Sequence, residues 1–237
     1  MNGKQDLRPE RAFHSGDVAT SPVKSRRWSG RDIAQMIFFA LLVRPFMMLF
    51  IGLRAPGHDR LPASDPFILI ANHSSHLDAM SLLSLFPISR LRKIRPVAAA
   101  DYFERNRFIA WFSTTLFNIL PIARKDITPE NNPLRRMLAA VRAGQSLIIF
   151  PEGTRGSGAQ MAQFRSGVAR VLEEAPEVPV VPAYLVNMGR SLPKGEYLPV
   201  PFFCEVRLGI PQTIRGNRHE ITEALEAAVR ALKESGG

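Results

Sequence analysis

Beyond residue 60 the chain alternates short, almost wholly apolar runs with stretches of helical period, and each apolar run ends in polar residues or in Gly and Pro. That texture predicts an α/β fold with a mixed central sheet flanked by helices. Strands are expected over Phe67–Ala71, Ile94–Ala100, Ile119–Ala123, Ser146–Phe150, Val178–Val186 and Phe202–Leu208, and helices over Leu77–Leu85 and Arg165–Glu174. Phe108–Phe117 reads as helical or interfacial. Asn132 followed by Pro133 is a cap and first helical residue, Leu134, Met137, Leu138 and Val141 form one face, and Gly144 ends the helix. A closing helix carries the stripe Ile221, Leu225, Ala228, Leu232.

The amino-terminal part has a different character. Residues 1–30 are polar and basic, without periodicity, and are expected to be a disordered tail. They contain no apolar stretch of the kind a secretory signal carries. From Met36 to Leu53 the chain is almost entirely apolar, interrupted only by Arg44, Pro45 and Gly52. A continuous helix of that length would be about 27 Å long, barely the thickness of a bilayer core. A central Arg costs about 2.5 kcal/mol or more in hydrocarbon, and Pro kinks or breaks a helix. Basic residues flank both ends, with Arg26, Arg27 and Arg31 before and Arg54 and Arg60 after. The segment 31–58 is therefore expected to be a membrane-associating helical hairpin that dips into one leaflet, with a spanning helix or a buried core helix as alternatives. Residues 59–237 are then one domain.

Charge and cysteine narrow the partners. Among the 237 residues, 31 Lys and Arg face 21 Asp and Glu, a formal charge of +10. An anionic partner follows: nucleic acid, an anionic membrane surface or a phosphorylated substrate. Much of the excess lies between Arg90 and Lys125, where eight basic residues face only Asp101 and Glu104, with Tyr102, Phe103, Phe108, Trp111, Phe112 and Phe117 interleaved. Such a stretch can be an aromatic platform for single-stranded nucleic acid, a face on lipid headgroups, or a solvated surface over an ordinary core. Cys204 is the only cysteine, so no internal disulfide and no cysteine-based zinc site can form, which fits a reducing compartment.

Two polar clusters follow apolar strands. The first is Asn72, His73, Ser74, Ser75, His76, Leu77, Asp78. Within one helix, residues five apart point in different directions, but at a strand-to-helix turn His73 and Asp78 can meet. The carboxylate would then hold one ring nitrogen and leave the other as a base. A capped polar turn is the plainer reading. A metal site from His73, His76 and Asp78 is another, but His14, His58 and His219 lie in unrelated segments and a distant carboxylate would have to complete it. The second cluster runs from Phe150 through Pro151, Glu152, Gly153, Thr154, Arg155 and Gly156 to Ser157 and Gly158. Its glycines permit a tight turn and close approach to a ligand, and Arg155 offers a fork of donors to phosphate or carboxylate. It is not a phosphate-binding P-loop and could equally be an ordinary turn.

Taken in order, N-H-x-x-x-x-D at residues 72–78, F-P-E-G-T-R at 150–155, and Val180, Val181, Pro182 after Pro179 resemble the glycerolipid acyltransferase family typified by 1-acyl-glycerol-3-phosphate acyltransferases. The resemblance covers about residues 60–210. It implies that His73 is the general base, that Asp78 orients it, and that a hydroxyl attacks an acyl thioester directly, without Ser74 or Ser75 as nucleophile. Arg124, Glu152, Gly153, Thr154 and Arg155 are the implied substrate-binding residues, the arginines receiving the glycerol phosphate. No metal and no cofactor is implied; acyl-CoA or acyl carrier protein would be the co-substrate and a lysophospholipid the acceptor.

The family also carries an amino-terminal two-helix element seated on one leaflet, which Met36–Leu53 looks like, and implies a membrane-associated enzyme of phospholipid biosynthesis on the cytoplasmic face. Two departures bear on the acceptor. The segment Phe117–Arg124 keeps the Arg of the family's second motif without its leading Gly, and Arg165-Ser166-Gly167 has Arg where Lys is common, a fork in place of a point charge. The expected activity is acyl transfer to 1-acyl-glycerol-3-phosphate, giving phosphatidic acid. The alternatives are another lysolipid, such as an acyl-amino-acid lipid, or a non-catalytic protein that binds anionic membranes or, as the lesser option, nucleic acid.

Overall fold

The computed structural model describes residues 28–101, 106–156, 161–192, 196 and 198–235. Most of the expected polar tail, together with Tyr102, Phe103, Glu104, Arg105, Ser157 and Gly158, lies outside the described residues. Six strands form one sheet: β1 (Ile68–Ala71), β2 (Ile94–Ala99), β3 (Leu120–Ile122), β4 (Ser146–Ile149), β5 (Val180–Val186) and β6 (Glu205–Leu208). Their spatial order is β3-β2-β4-β1-β5-β6. All neighbouring pairs are parallel except β5 with β6, so the sheet is mixed, as the alternation predicted.

β1 and β4 sit at the centre, and every residue of both is buried. A strand covered on both faces needs apolar side chains at every position, which is why these segments read as unbroken runs. Odd and even positions feed different layers. Phe67, Leu69 and Ala71 join a core layer with α2 (Leu77–Ser84), whereas Ile68 and Ile70 meet α4 (Pro133–Arg142), α5 (Gly167–Glu174) and α7 (Arg218–Glu234). Two further helices are α3 (Arg107–Leu116) and the short α6 (Met188–Ser191), the latter without a signal in the apolar pattern.

Asn132 caps α4 by accepting from the Arg135 N–H, with Pro133 in the first turn. In α7 the buried row is Ile221, Leu225 and Val229. Val229 takes the inward place expected for Ala228, so the buried row steps by four residues each time and winds gradually around the helix. The strand expected from Phe202 starts only at Glu205: the Cys204 carbonyl accepts the Arg54 N–H at 2.9 Å, so this part of the chain pairs with the segment leaving the first helix.

That first helix is the main departure from expectation. Gly30–Phe50, α1, is one helical rod rather than two helices of a hairpin. Ser29 and Asp32 form a capping box at its start. Phe39–Val43 and Phe46–Phe50 are π-helical turns on either side of Arg44 and Pro45. Widening the helix here makes room for the proline ring and the missing N–H, which would break a tighter helix. Arg44 turns toward the domain and donates from its guanidinium to the Phe86 carbonyl. Phe39, Val43, Met47 and Ile51 are buried and belong to the same core layer as Leu69 and Leu82. The opposite side is apolar and exposed, with Leu41 at 74% and Leu49 at 85%.

Candidate active site

In the register of β1 against β4, Ile70 lies opposite Ile149, so the two central strands end level and their polar clusters begin side by side. The carboxyl end of adjacent parallel strands is where α/β sheets gather their ligand groups. Asn72 ties this end to β5: its Nδ2 donates to the Leu185 carbonyl at 3.1 Å and its Oδ1 accepts from the Leu185 N–H at 2.6 Å.

His73 and Asp78 do meet. Asp78, in the first turn of α2, is fully buried, and its Oδ2 lies 2.7 Å from His73 Nδ1. The same oxygen accepts backbone N–H bonds from Ser74 at 2.7 Å and Ser75 at 2.9 Å. An ionised carboxylate only accepts, so in the neutral imidazole this contact favours the tautomer with the proton on Nδ1 and the lone pair on Nε2. The imidazole stacks on the Phe150 ring with centroids 4.2 Å apart and planes 16° from parallel. Sequence reasoning gave Phe150 no task beyond ending a strand, although its place directly before the Pro-Glu-Gly turn is a signal once the two clusters are known to be neighbours. Ser75 is fully buried, and its hydroxyl donates to the Leu192 carbonyl at 2.9 Å.

The second cluster grips the first. Glu152 is 4% exposed; Oε1 accepts the His73 backbone N–H at 2.8 Å and Oε2 the Ala162 N–H at 2.9 Å. Burial pushes its carboxyl above the usual range, against the pull of those two amide bonds. The Gly156 N–H donates to the His73 carbonyl at 2.9 Å, so both backbone groups of His73 are held by this turn. Gly153 has φ of +74°, which strains any other residue, and a Cβ there would lie 3.0 Å from Cδ and Nε of Arg165, which would have to shift to admit it.

Arginines surround the turn. Arg124, two residues past β3, donates from its guanidinium to the Gly153 carbonyl, and Arg165 lies against Gly153. Arg155 is partly exposed, while its buried Nη1 has no hydrogen-bond partner among the described residues. Thr154 is exposed. The five residues expected to bind substrate are thus gathered, with one difference in kind: both carboxylate oxygens of Glu152 already serve backbone amides.

His76 lies at the exposed rim; partial desolvation, then the positive Arg155, push its pKa down. No cluster of three or more His, Cys, Asp or Glu side chains able to hold a metal occurs among the described residues, so the metal reading of His73, His76 and Asp78 finds no matching geometry.

A mixed α/β sheet presents an aspartate-held imidazole beside an arginine-ringed glycine turn. Residues 53–186 match the family model described as Acyltransferase, more than half of the chain, and the chain belongs to that family. A chloroplastic 1-acyl-sn-glycerol-3-phosphate acyltransferase of Brassica napus is 30% identical over 140 residues, covering 59% of this chain and 38% of that protein. One from Arabidopsis thaliana is 28% identical over 173 residues, covering 73% and 46% respectively. The chain therefore spans less than half the length of these two relatives. The alpha form from Bos taurus is 24% identical over 226 residues, 92% of this chain and 76% of that protein. Among solved structures, the 1-acyl-sn-glycerophosphate acyltransferase of Thermotoga maritima shares the fold, with a TM-score of 0.67 at 20% identity over 87% of this chain and 80% of that one.

Proposed function

We propose that this chain is a membrane-seated O-acyltransferase that moves a fatty acyl group from an acyl-CoA or acyl carrier protein thioester to the hydroxyl of a lysophospholipid, foremost 1-acyl-glycerol-3-phosphate. The observation that carries the reading is the 2.7 Å contact between His73 Nδ1 and Asp78, placed beside the arginine-ringed turn. His73 Nε2 takes the proton of the acceptor hydroxyl as its oxygen attacks the thioester carbonyl. The tetrahedral intermediate then collapses, the C–S bond breaks, and the thiolate leaves with the proton returned by the imidazolium. Asp78 fixes the tautomer and stabilises the charged ring. A positioned base of this kind is worth about 10² to 10⁴ in rate, and the good leaving group removes the need for an acyl-enzyme.

Arg124 and Arg155 are read as the phosphate-binding groups, and the unpartnered Nη1 of Arg155 as a donor reserved for ligand. Glu152 is read as a positioning residue, because its two oxygens hold the backbone of His73 and of Ala162. A lysophospholipid with another headgroup is the second reading, favoured by the forked Arg165 packed against Gly153.

Membrane seating is argued from α1. Its buried row, Phe39 to Ile51, runs along the rod, so the domain packs against the helix over much of its length. If the rod crossed a bilayer, charged domain surface would be carried into hydrocarbon, at prohibitive cost. Lying in the plane of one leaflet instead, it would bury Leu41 and Leu49 while the domain stays in water. The test is transfer of labelled acyl groups from both thioesters to a panel of lysolipids, with product identified by mass spectrometry. No transfer from either donor, or full activity in His73→Ala, overturns the enzymatic reading.

A further inference from the structure

The apolar exposure of α1 does not stop at α1. Helix α3 packs beside it, and the contact is aromatic: the Phe38 and Phe112 rings meet edge to face with centroids 5.6 Å apart. The residue preceding each of these partners is exposed, Ile37 at 54% and Trp111 at 57%, and Phe108, one turn before Phe112 on α3, is 67% exposed. Phe108 and Trp111 are neighbours at three-residue spacing, with ring centroids 6.1 Å apart. Two large aromatic rings left in water on a helix this short add little to the core, and among the described residues their ring contacts are with each other and with Phe112 of the same helix.

We infer that α3 is a second membrane-inserting element, with Phe108 and Trp111 entering the same leaflet of an anionic bilayer as the exposed face of α1. The inference rests on the membrane seating proposed above and extends it to a region outside the sequence motifs. Two observations select a bilayer as occupant. The exposed face is continuous with that of α1 across the Phe38–Phe112 contact. It also lies within the basic stretch from Arg90 to Lys125, where Arg90, Arg95 and Arg124 are engaged within the fold while Lys93 is half exposed and Lys125 is exposed, positive charge able to meet an anionic headgroup layer. Tryptophan suits the headgroup boundary, since its ring is apolar and its indole N–H still finds a partner there. Two contacts instead of one would also fix the rotation of the domain about the α1 axis, and with it the height of the His73 site above the lipid.

The chain has two tryptophans, so in the full-length Trp28→Phe variant Trp111 is the sole reporter. With vesicles of phosphatidylcholine and phosphatidylglycerol, its emission is expected to shift to the blue and to be quenched by phospholipids brominated on the acyl chain. The Phe108→Ala/Trp111→Ala double variant is expected to lose about tenfold or more in vesicle partitioning, while acyl transfer to a detergent-dispersed acceptor is retained. If the chain sediments with vesicles but Trp111 emission is neither shifted nor quenched, α3 faces water and this inference alone fails. If the intact chain does not bind vesicles, membrane seating fails with it, while transfer in detergent still reports on the enzymatic reading. Emission already blue-shifted without lipid, and lost on dilution, would show that a second copy covers the face and would overturn the bilayer as occupant.

Discussion

At the turns after β1 and β4, polar side chains are buried; along α1, apolar side chains are exposed. Ser75, Asp78 and Glu152 are almost free of solvent, and each is held by hydrogen bonds to backbone groups: Ser75 to Leu192 and Glu152 to His73 across segments distant in sequence, Asp78 to Ser74 and Ser75 within its own turn. Burying such groups is tolerable only when they are hydrogen-bonded, and although Oδ1 of Asp78 has no partner among the described residues, the remaining bonds leave the site little freedom to move. On α1 the domain covers one side, and Ile37, Leu41, Met48 and Leu49 remain in contact with water. One region stores its order in a hydrogen-bond network, and the other leaves a surface that needs a partner.

The largest effect is expected at the network's reacting end. His73→Ala should lower the rate of acyl transfer by about 10² to 10⁴ with unchanged circular dichroism; a smaller loss would mean that the Asp78-held imidazole is not the base. On the helix the contrast can be tested by side. Phe39→Ala, on the covered face, should cost about 3–5 kcal/mol in urea unfolding. Leu41→Asp, on the open face, should change stability by no more than about 0.5 kcal/mol yet release the chain from vesicles.

Glu152→Gln leaves one amide N–H facing an NH₂ group, so a loss of about 1–3 kcal/mol in stability is expected, with kcat falling more than KM if the residue positions His73. The same variant carries a pH signature. Burial raises the Glu152 carboxyl in the folded state, so the folded form binds that proton more tightly than the unfolded chain. Its contribution to stability is greatest at low pH and is lost as pH rises through the raised value. The stability difference, wild type minus Glu152→Gln, should therefore shrink as pH rises from the ordinary glutamate value near 4.5, as followed by urea midpoints across pH.

The smallest effect concerns Cys204, which is 1% exposed and whose thiol burial pushes up to about 11. Maleimide should react with it slowly in native buffer and rapidly in urea; fast native labelling would show that the layer joining α1 to β6 opens readily.

Much of this was legible because the chemistry is local in sequence. The polar cluster after each apolar run marks a strand exit, and the five-residue interval from His73 to Asp78 spans one strand-to-helix turn. Arg124, Gly153 and Arg155 could be named from motif order, but their meeting depends on β3 and β4 lying either side of β2 in one parallel sheet, so that their ends face the same side. The attachment of Glu152 to the His73 backbone, the stacking of Phe150 under His73 and the tie from Asn72 to Leu185 had no local signal, since each joins residues more than 70 positions apart. The expected hairpin failed for a related reason. Arg44 and Pro45 look like a break when only the helix is considered, but the Phe86 carbonyl receives the guanidinium and the π-turns admit the proline.

By itself, then, the sequence determined the α/β alternation, the two turns and the residue types able to remove a proton and bind a phosphate, because periodicity, capping and short turns act between near neighbours. Tertiary structure alone decided which strands adjoin, that Glu152 faces inward to the His73 backbone, and which side of α1 is left open, because these depend on contacts whose partners lie far along the chain.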